Sequence, residues 1–463
     1  MSEITQNKMG VKPMFPLVMG MSLPAMFSMM IQALYNMVDS IFVARFHPDA
    51  LQAVSLAYPL QMILISFGVG TAVGVNSLIA RRLGAKNYQE ANTAATTGLV
   101  LAVINWLAFF LIGLFLARPF IRLFTANDVV IEYGTSYLNV VLCISIGMQI
   151  SCMGEKILQS TGNMIFPMIT QLLGAVINII FDPLLIFGIG IFPQLGVVGA
   201  AVATVFGQIC SMTFILIILF VKKHEVKISL KGFRLQKTVL KNIYSVGFPA
   251  IIMQCIGSVM VSGINAIISI ADITAEYAAA YINAFGIYFK LQSFIFMPVF
   301  GLNQGVSPII GYNYGARDKK RLYSAFRLGL LIAAVIMAAG TILFQLAPDW
   351  LLSLFESSAA VDTGANNLLS EVGVPVLRTI SLSFILAALG IMFSTLFQAV
   401  GKGLYSMMMS VSRQLIVLLP VAFFLSKVNM TVMWYAFPIS ELVCIGIGFV
   451  FFMLLRKREL SRL

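Results

Sequence analysis

Apolar runs long enough to cross a bilayer recur about twelve times along this chain, and this recurrence constrains its fold more than any other feature. They lie near Phe15–Phe42, Val54–Ala80, Ala91–Leu116, Ile131–Met153, Met164–Phe187, Val197–Val221, Ile243–Ile270, Tyr277–Ile310, Leu322–Leu346, Leu368–Ala399, Leu404–Leu425 and Val432–Leu455. In hydrocarbon every backbone N–H and C=O must be satisfied within its own segment, so each run is predicted to be a helix. Of the residues, 59% are hydrophobic and only 10% are charged. A soluble domain carries roughly a quarter charged residues, so a water-exposed globule is excluded.

The net charge of +12 does not imply a nucleic-acid partner, because the basic residues sit in short loops between apolar runs. With the N-terminus inside, Arg81, Arg82, Lys86, Lys156, the stretch Lys222 to Lys241, Arg317 to Arg321, Lys402 and Arg456 to Arg462 fall on the cytoplasmic side. Outside loops hold few, such as Arg45, Arg118, Arg122 and Lys427. The positive-inside rule then predicts an even number of spans with both termini cytoplasmic, in the plasma (inner) membrane. The five Cys lie in apolar segments without CxxC spacing, so neither a disulfide framework nor a zinc site is expected. No cleavable signal peptide is expected, since the first apolar stretch is too long for a signal h-region.

The longest polar stretch divides the chain into a first lobe over 1–221, a linker over 222–241 and a second lobe over 242–463. The halves repeat. Arg82-Leu83-Gly84-Ala85-Lys86 matches Asn313-Tyr314-Gly315-Ala316-Arg317, and Gln61 matches Gln292 at the same separation. Leu158-Gln159-Ser160-Thr161-Gly162 matches Phe397-Gln398-Ala399-Val400-Gly401, and Pro24 matches Pro249 early in the first span of each half. An even span number per half makes these parallel repeats, with sites expected near the midplane.

Ionisable groups within the bilayer are costly and mark function by default. Four carboxylates qualify: Asp39, Glu155, Asp182 and Glu441. Asp39 is either a coupling group or a wet helix end. Asn178 and Asp182 share a helix face, and Pro183 frees the carbonyl of Ile179. With Thr204 in the next span, these oxygens suit Na⁺ or a transferable proton; the alternative is a capped proline kink. Glu155 is either a carboxylate facing substrate or one neutralised by Lys156. Glu441 is expected to pair with Arg413 or Arg378. The second half carries Lys290, Arg378 and Arg413 in its spans, and Asn265 stands near the repeat position of Asp39, so the coupling chemistry is placed in the first half.

Methionine is used at promiscuous binding surfaces, and Met21, Met26, Met29, Met30 and Met37 crowd the first span. Substrate contacts are expected at Met29, Gln32, Tyr35, Asn36 and Glu155. The two His, His47 and His224, lie in loops, and no Walker loop occurs, so neither a His-based enzyme nor an ATP-driven pump is expected.

Val38-Asp39-Ser40-Ile41-Phe42-Val43, Ala80-Arg81-Arg82-Leu83-Gly84-Ala85, Asn178 to Pro183, Gly199-Ala200-Ala201 with Thr204, and Gly315-Ala316 together resemble the multidrug and toxic compound extrusion (MATE) family over nearly the whole chain. The resemblance implies an all-α, V-shaped fold of twelve helices in two six-helix lobes. It implies efflux of lipophilic organic cations in exchange for H⁺ or Na⁺, with Asp39, Asn178, Asp182 and Thr204 as the first-lobe ion site. Some members carry acids in the seventh and tenth spans; here those spans offer Gln254 and no interior acid. Alternating access is the expected mechanism, with Pro24 and Pro183 as hinge points. No cofactor beyond the coupling ion and no obligate protein partner are expected; the partners are the bilayer and cationic drugs. A lipid or lipid-linked sugar flippase of related fold is the alternative, distinguished by a more basic cavity.

Overall fold

A computed structural model describes residues 7–46, 48–355 and 365–462. Helix is the dominant structure, and no strand occurs among the described residues. The first half holds α1 (Lys8–Val11), α2 (Met14–Phe46), α3 (Pro48–Gly84), α4 (Tyr88–Arg122), α5 (Asp128–Cys143), α6 (Ile146–Ser160), α7 (Ile165–Phe187) and α8 (Val197–Val221). The second holds α9 (Lys237–Ser269), α10 (Ala275–Gly315), α11 (Lys319–Leu346), α12 (Pro348–Ser353), α13 (Ala365–Ser381), α14 (Phe384–Ala399) and α15 (Gly403–Val411). A π-helical turn over Ser412–Leu418 leads into α16 (Leu419–Ser426), α17 (Met430–Met433) and α18 (Ala436–Arg458).

Among the described residues, ten helices are long and apolar enough to cross a membrane, and two bent pairs bring the total to as many as 12 spans. The bent pairs lie on the fourth and tenth apolar runs. α5 and α6 meet at 44°, and the described part of α13 meets α14 at 46°. The same serine bond stands at both breaks. The Ser145 hydroxyl donates to the Leu142 carbonyl at 2.8 Å, and the Ser383 hydroxyl to the Ile380 carbonyl at 2.6 Å. Each serine occupies a carbonyl that the helix ladder would otherwise use.

Other local conformations also recur. Lys86 and Arg317 are the positive-φ non-glycine residues among the described ones, at 57° and 59°, and they end the two matching loop motifs. Gly162 and Gly401, which end the other matching pair, share a φ of 88°. The repeat seen in the sequence is therefore a repeat of backbone geometry.

The two halves meet along a seam of small residues that obeys the same repeat. On α3, Gly70 faces Ile251 and Gly74 faces Gly247, both on α9. On α10, Gly301 faces Met26 and Gly305 faces Ser22, both on α2. A methyl added at Gly70 would stand 2.7 Å from the Ile251 backbone nitrogen, and one at Gly305 would stand 2.7 Å from the Ser22 Cα. Small residues let membrane helices approach backbone to backbone, where dispersion rather than the hydrophobic effect holds them. At the helix ends Gly84 abuts the Tyr312 carbonyl and Gly315 the Arg81 carbonyl, a reciprocal contact. The seam thus covers the last ~20 Å of α3 and α10, from a rise of 1.5 Å per residue.

Side-chain hydrogen bonds between the halves gather toward the same end. Ser22 donates to the Leu302 carbonyl and Ser77 to the Gln398 carbonyl, the latter at 2.6 Å. α1 lies across this end. Its Met9 is fully buried, and the Met9 carbonyl accepts from Asn313 and Arg321 of the second half. Asn7 caps α1 and donates to Glu225 in the stretch joining α8 to α9.

Candidate functional site

The candidate ion site is built where α7 crosses α8. Gly174 and Gly207 let these helices touch: a methyl on Gly174 would stand 2.5 Å from the Ser211 hydroxyl, and one on Gly207 would stand 2.7 Å from the Gly174 carbonyl. The Ser211 hydroxyl donates to the Thr170 carbonyl at 2.9 Å and pins the crossing. One turn beyond Gly174 comes Asn178, and one turn further Asp182, on the same face. Thr204 precedes Gly207 by about one turn on α8. Close backbones therefore bring all three polar side chains together.

The Asn178 amide nitrogen donates to Asp182 Oδ1 and to Thr204 Oγ1, each at 3.2 Å. Asp182 is fully buried and Asn178 is 3% exposed. Asn178 Oδ1 has no hydrogen-bond partner among the described residues. The cluster presents a carboxylate, an amide oxygen and a hydroxyl. Pro183 follows within α7, so the Ile179 carbonyl lacks its usual ladder donor. A hard cation or a proton is the natural neutraliser of such a set.

The other first-span residues are placed differently. Asp39 and Asn36 belong to α2, and their side chains lie outside the described residues. Gln32 is exposed, while Met29 and Tyr35 are half-buried. Met29 reaches across to the second half, where its sulfur accepts from the Gln304 amide at 3.1 Å.

Glu155 of α6 lies in a second polar cluster with Gln171, which stands ~16 Å before Asp182 along α7 by helix rise. It is 8% exposed and accepts from the Gln171 amide at 2.7 Å. Of the two alternatives for Glu155, a direct salt bridge to Lys156 does not occur among the described residues. Lys156 instead donates to Gln159 at 2.8 Å and across the halves to Gln304 at 2.9 Å. Adjacent residues on a helix point about 100° apart, so Glu155 and Lys156 serve different neighbours. Sequence reasoning missed Gln171 and Gln304. The signal available was an uncharged amide within an apolar span, but glutamines are common enough that none stood out without its partner. In the second half, Glu441 pairs with Arg413 at 2.7 Å, which settles the choice left open between Arg413 and Arg378.

Comparison with known proteins decides the family. The MatE family model matches residues 24–184 and 243–424, most of the chain. The chain belongs to the MatE family. This MatE chain is 27% identical over 446 residues to the multidrug export protein MepA of Staphylococcus saprophyticus, covering 95% of the chain and 94% of that relative. It is 26% identical to MepA of Staphylococcus haemolyticus, covering 96% and 94%. Among solved structures, a MATE transporter in complex with MaL6 superposes with a TM-score of 0.90 at 27% identity, covering 99% of this chain and 100% of that one. A MOP superfamily transporter from Pyrococcus furiosus, described by the reverse polarity of its binding pocket, superposes at 0.89 with 26% identity, covering 97% of each chain. The MatE chain is thus a multi-pass membrane transporter by family and by fold.

Proposed function

We propose that this MatE chain is a secondary active antiporter, exporting lipophilic organic cations across the plasma membrane in exchange for H⁺ or Na⁺. The observation that carries the reading is the buried Asn178–Asp182–Thr204 cluster within the membrane helices. A carboxylate buried in a membrane helix beside an amide and a hydroxyl is costly to keep charged and suits a transferable cation or proton. The names of the staphylococcal relatives, multidrug export proteins, support the cargo class.

In the proposed cycle both termini are cytoplasmic, so the glycine seam closes the cytoplasmic side and the lobes part outward. An outward-facing multidrug resistance MATE family transporter superposes at a TM-score of 0.90. H⁺ or Na⁺ enters from outside and neutralises Asp182, together with Asp39. Neutralisation lowers affinity for a cationic drug, which leaves outward. The seam then opens, and the ion escapes to the cytoplasm. Exchange follows because the two conformations bind ion and drug with different affinities.

The test is ethidium efflux from reconstituted vesicles, with a pH gradient and a Na⁺ gradient imposed separately. Efflux driven by one gradient in wild type, and lost in Asp182→Asn, is expected and names the ion. Equal efflux by wild type and variant would remove Asp182 from the coupling site. Failure of either gradient to move any lipophilic cation would favour a lipid flippase.

A further inference from the structure

The stretch joining α8 to α9 runs beside α4, and its course has a direction. The Lys227 N–H donates to the Asn92 side chain at 2.7 Å, and the Ser229 N–H to the Thr96 hydroxyl at 3.3 Å. Two residues of extended chain span about 6.6 Å and four residues of helix rise about 6 Å, so the two bonds step along α4 in register. Val226 is buried and Ile228 packs on a first-half core, which fixes the stretch to the first lobe. The step leads away from the start of α4, toward its middle. α4 has 35 residues, about 52 Å of helix, whereas the hydrocarbon core of a bilayer is about 30 Å thick. About 20 Å is left to divide between its two ends, and Thr96 lies ~12 Å from its first residue. The stretch thus climbs α4 to the level where headgroups meet acyl chains.

There it turns. The Phe233 N–H donates to the Leu230 carbonyl at 3.2 Å, and Gly232, at a φ of 73°, holds the third place of the turn, where a type II turn requires a positive φ. The turn presents Leu230 at 71% exposure, and Leu235 follows at 48%. Around them Lys223, Lys227, Lys231, Arg234, Lys237 and Lys241 are all exposed. The stretch holds one acid, Glu225, which accepts from Asn7, and Glu90 in the first turn of α4 pairs with Arg82. Positive charge is therefore in large excess. A nucleic acid or an acidic protein surface would meet these charges but leave Leu230 in water. An anionic bilayer face meets both: the leucine enters the acyl boundary, while Lys and Arg stems lie along it and keep their charges among the phosphates.

We propose that the stretch over 222–241 is a docking site for anionic phospholipid headgroups of the leaflet at this end of the molecule, with Leu230 seated at the acyl boundary and Lys227, Lys231 and Arg234 holding the phosphates. The site is fixed to the first lobe and leads directly into α9 of the second. It is independent of the ion and the cargo proposed above.

Leu230→Trp in the full chain, reconstituted in phosphatidylcholine vesicles, tests it. The fluorescence of the added Trp is read as the difference from wild type, which has three Trp of its own. Phosphatidylglycerol or phosphatidylcholine, brominated near the top of its acyl chains, is doped in at equal fraction as the quencher. Both lipids are expected to quench, phosphatidylglycerol about fivefold or more effectively, with the preference shrinking as salt rises. Adding Lys227→Gln, Lys231→Gln and Arg234→Gln should bring the two lipids level, and the exposure of these side chains spares the fold. Arg456→Gln, Lys457→Gln and Arg458→Gln remove the same charge at the end of α18 and should leave the preference at the turn intact. Absence of quenching by either lipid would place the turn in water and overturn the proposal. Equal quenching by the two lipids in Leu230→Trp, or an equal loss of preference in the α18 set, would overturn it as well.

Discussion

The crossing of α7 with α8 in the first lobe has a counterpart in the second, where the π-helical turn and α16 pack beside α18. Pro183 and Pro420 stand at the same separation in the chain as Thr204 and Glu441. Glu441 thus stands at the Thr204 position of the repeat, and its partner Arg413 lies two residues before the position equivalent to Asn178. One crossing holds a carboxylate beside an amide and a hydroxyl. The other holds a carboxylate whose countercharge is tethered to the chain. A tethered cation neutralises permanently, whereas an amide leaves the neutralising charge to be supplied from solution. Two copies of one backbone can therefore differ by a few side chains, one carrying the proposed ion site and the other holding a fixed pair.

The largest effect that would sharpen this contrast is at the first crossing. Asp182→Asn is expected to abolish gradient-driven efflux while leaving the thermal midpoint close to wild type, because Asn keeps the shape and an amide bond to Asn178. A large fall in the midpoint would instead mean that the carboxylate is structural. Next comes the second crossing. Arg413→Ala leaves Glu441 buried and without its cation, at a cost of about 3–5 kcal/mol. The double change Arg413→Met with Glu441→Met should recover most of that stability in a thermal-shift assay. If the double variant is no more stable than Arg413→Ala, the pair is not a self-neutralising unit.

The seam supplies a smaller effect. Gly74→Ala and Gly305→Ala each force a methyl against backbone, at about 1–3 kcal/mol for overpacking. Repeat symmetry predicts similar losses at the two positions, and both should bias the lobes away from the closed seam, read as faster labelling of a cysteine placed at Ser77. Unequal effects would show that the two halves of the seam open independently. The smallest effect is at α1, where Asn7→Ala removes a helix cap and the bond to Glu225, for roughly 0.5–2 kcal/mol. Burial pushes the Glu225 carboxyl above its ordinary range, against the opposing pull of the Asn7 bond. Its raised value means that the neutral form is favoured in the fold, so stability at this contact is fully present at low pH and falls as pH rises through the ordinary carboxylate range. Removing Asn7 should raise that carboxyl further, which a pH-dependent thermal scan would register as a steeper loss.

Much of this architecture was legible in the residues. The apolar runs announced the spans, because a helix is the backbone's solution to hydrocarbon, and motif pairs such as Leu158–Gly162 and Phe397–Gly401 announced the duplication. Asn178 and Asp182 were visible as partners because helical periodicity alone places them on one face. Thr204 needed the crossing angle of two helices, which the paired glycines Gly174 and Gly207 set and which the family resemblance anticipated. The breaks at Ser145 and Ser383 were not legible, since a serine in an apolar run is equally compatible with an unbroken helix, as Ser151 within α6 shows.

What the sequence determined by itself is local and periodic: which segments enter the membrane, that the halves are copies, and which carboxylates are too costly there to be incidental. Tertiary structure decided which neighbours those carboxylates received. Lys156, adjacent to Glu155 in the chain, turned to Gln159 and Gln304, while Arg413 reached Glu441 across 28 residues. In a low-dielectric interior the partner within hydrogen-bond reach sets the chemistry of a charge, and the packing of helices, not their order along the chain, chooses that partner.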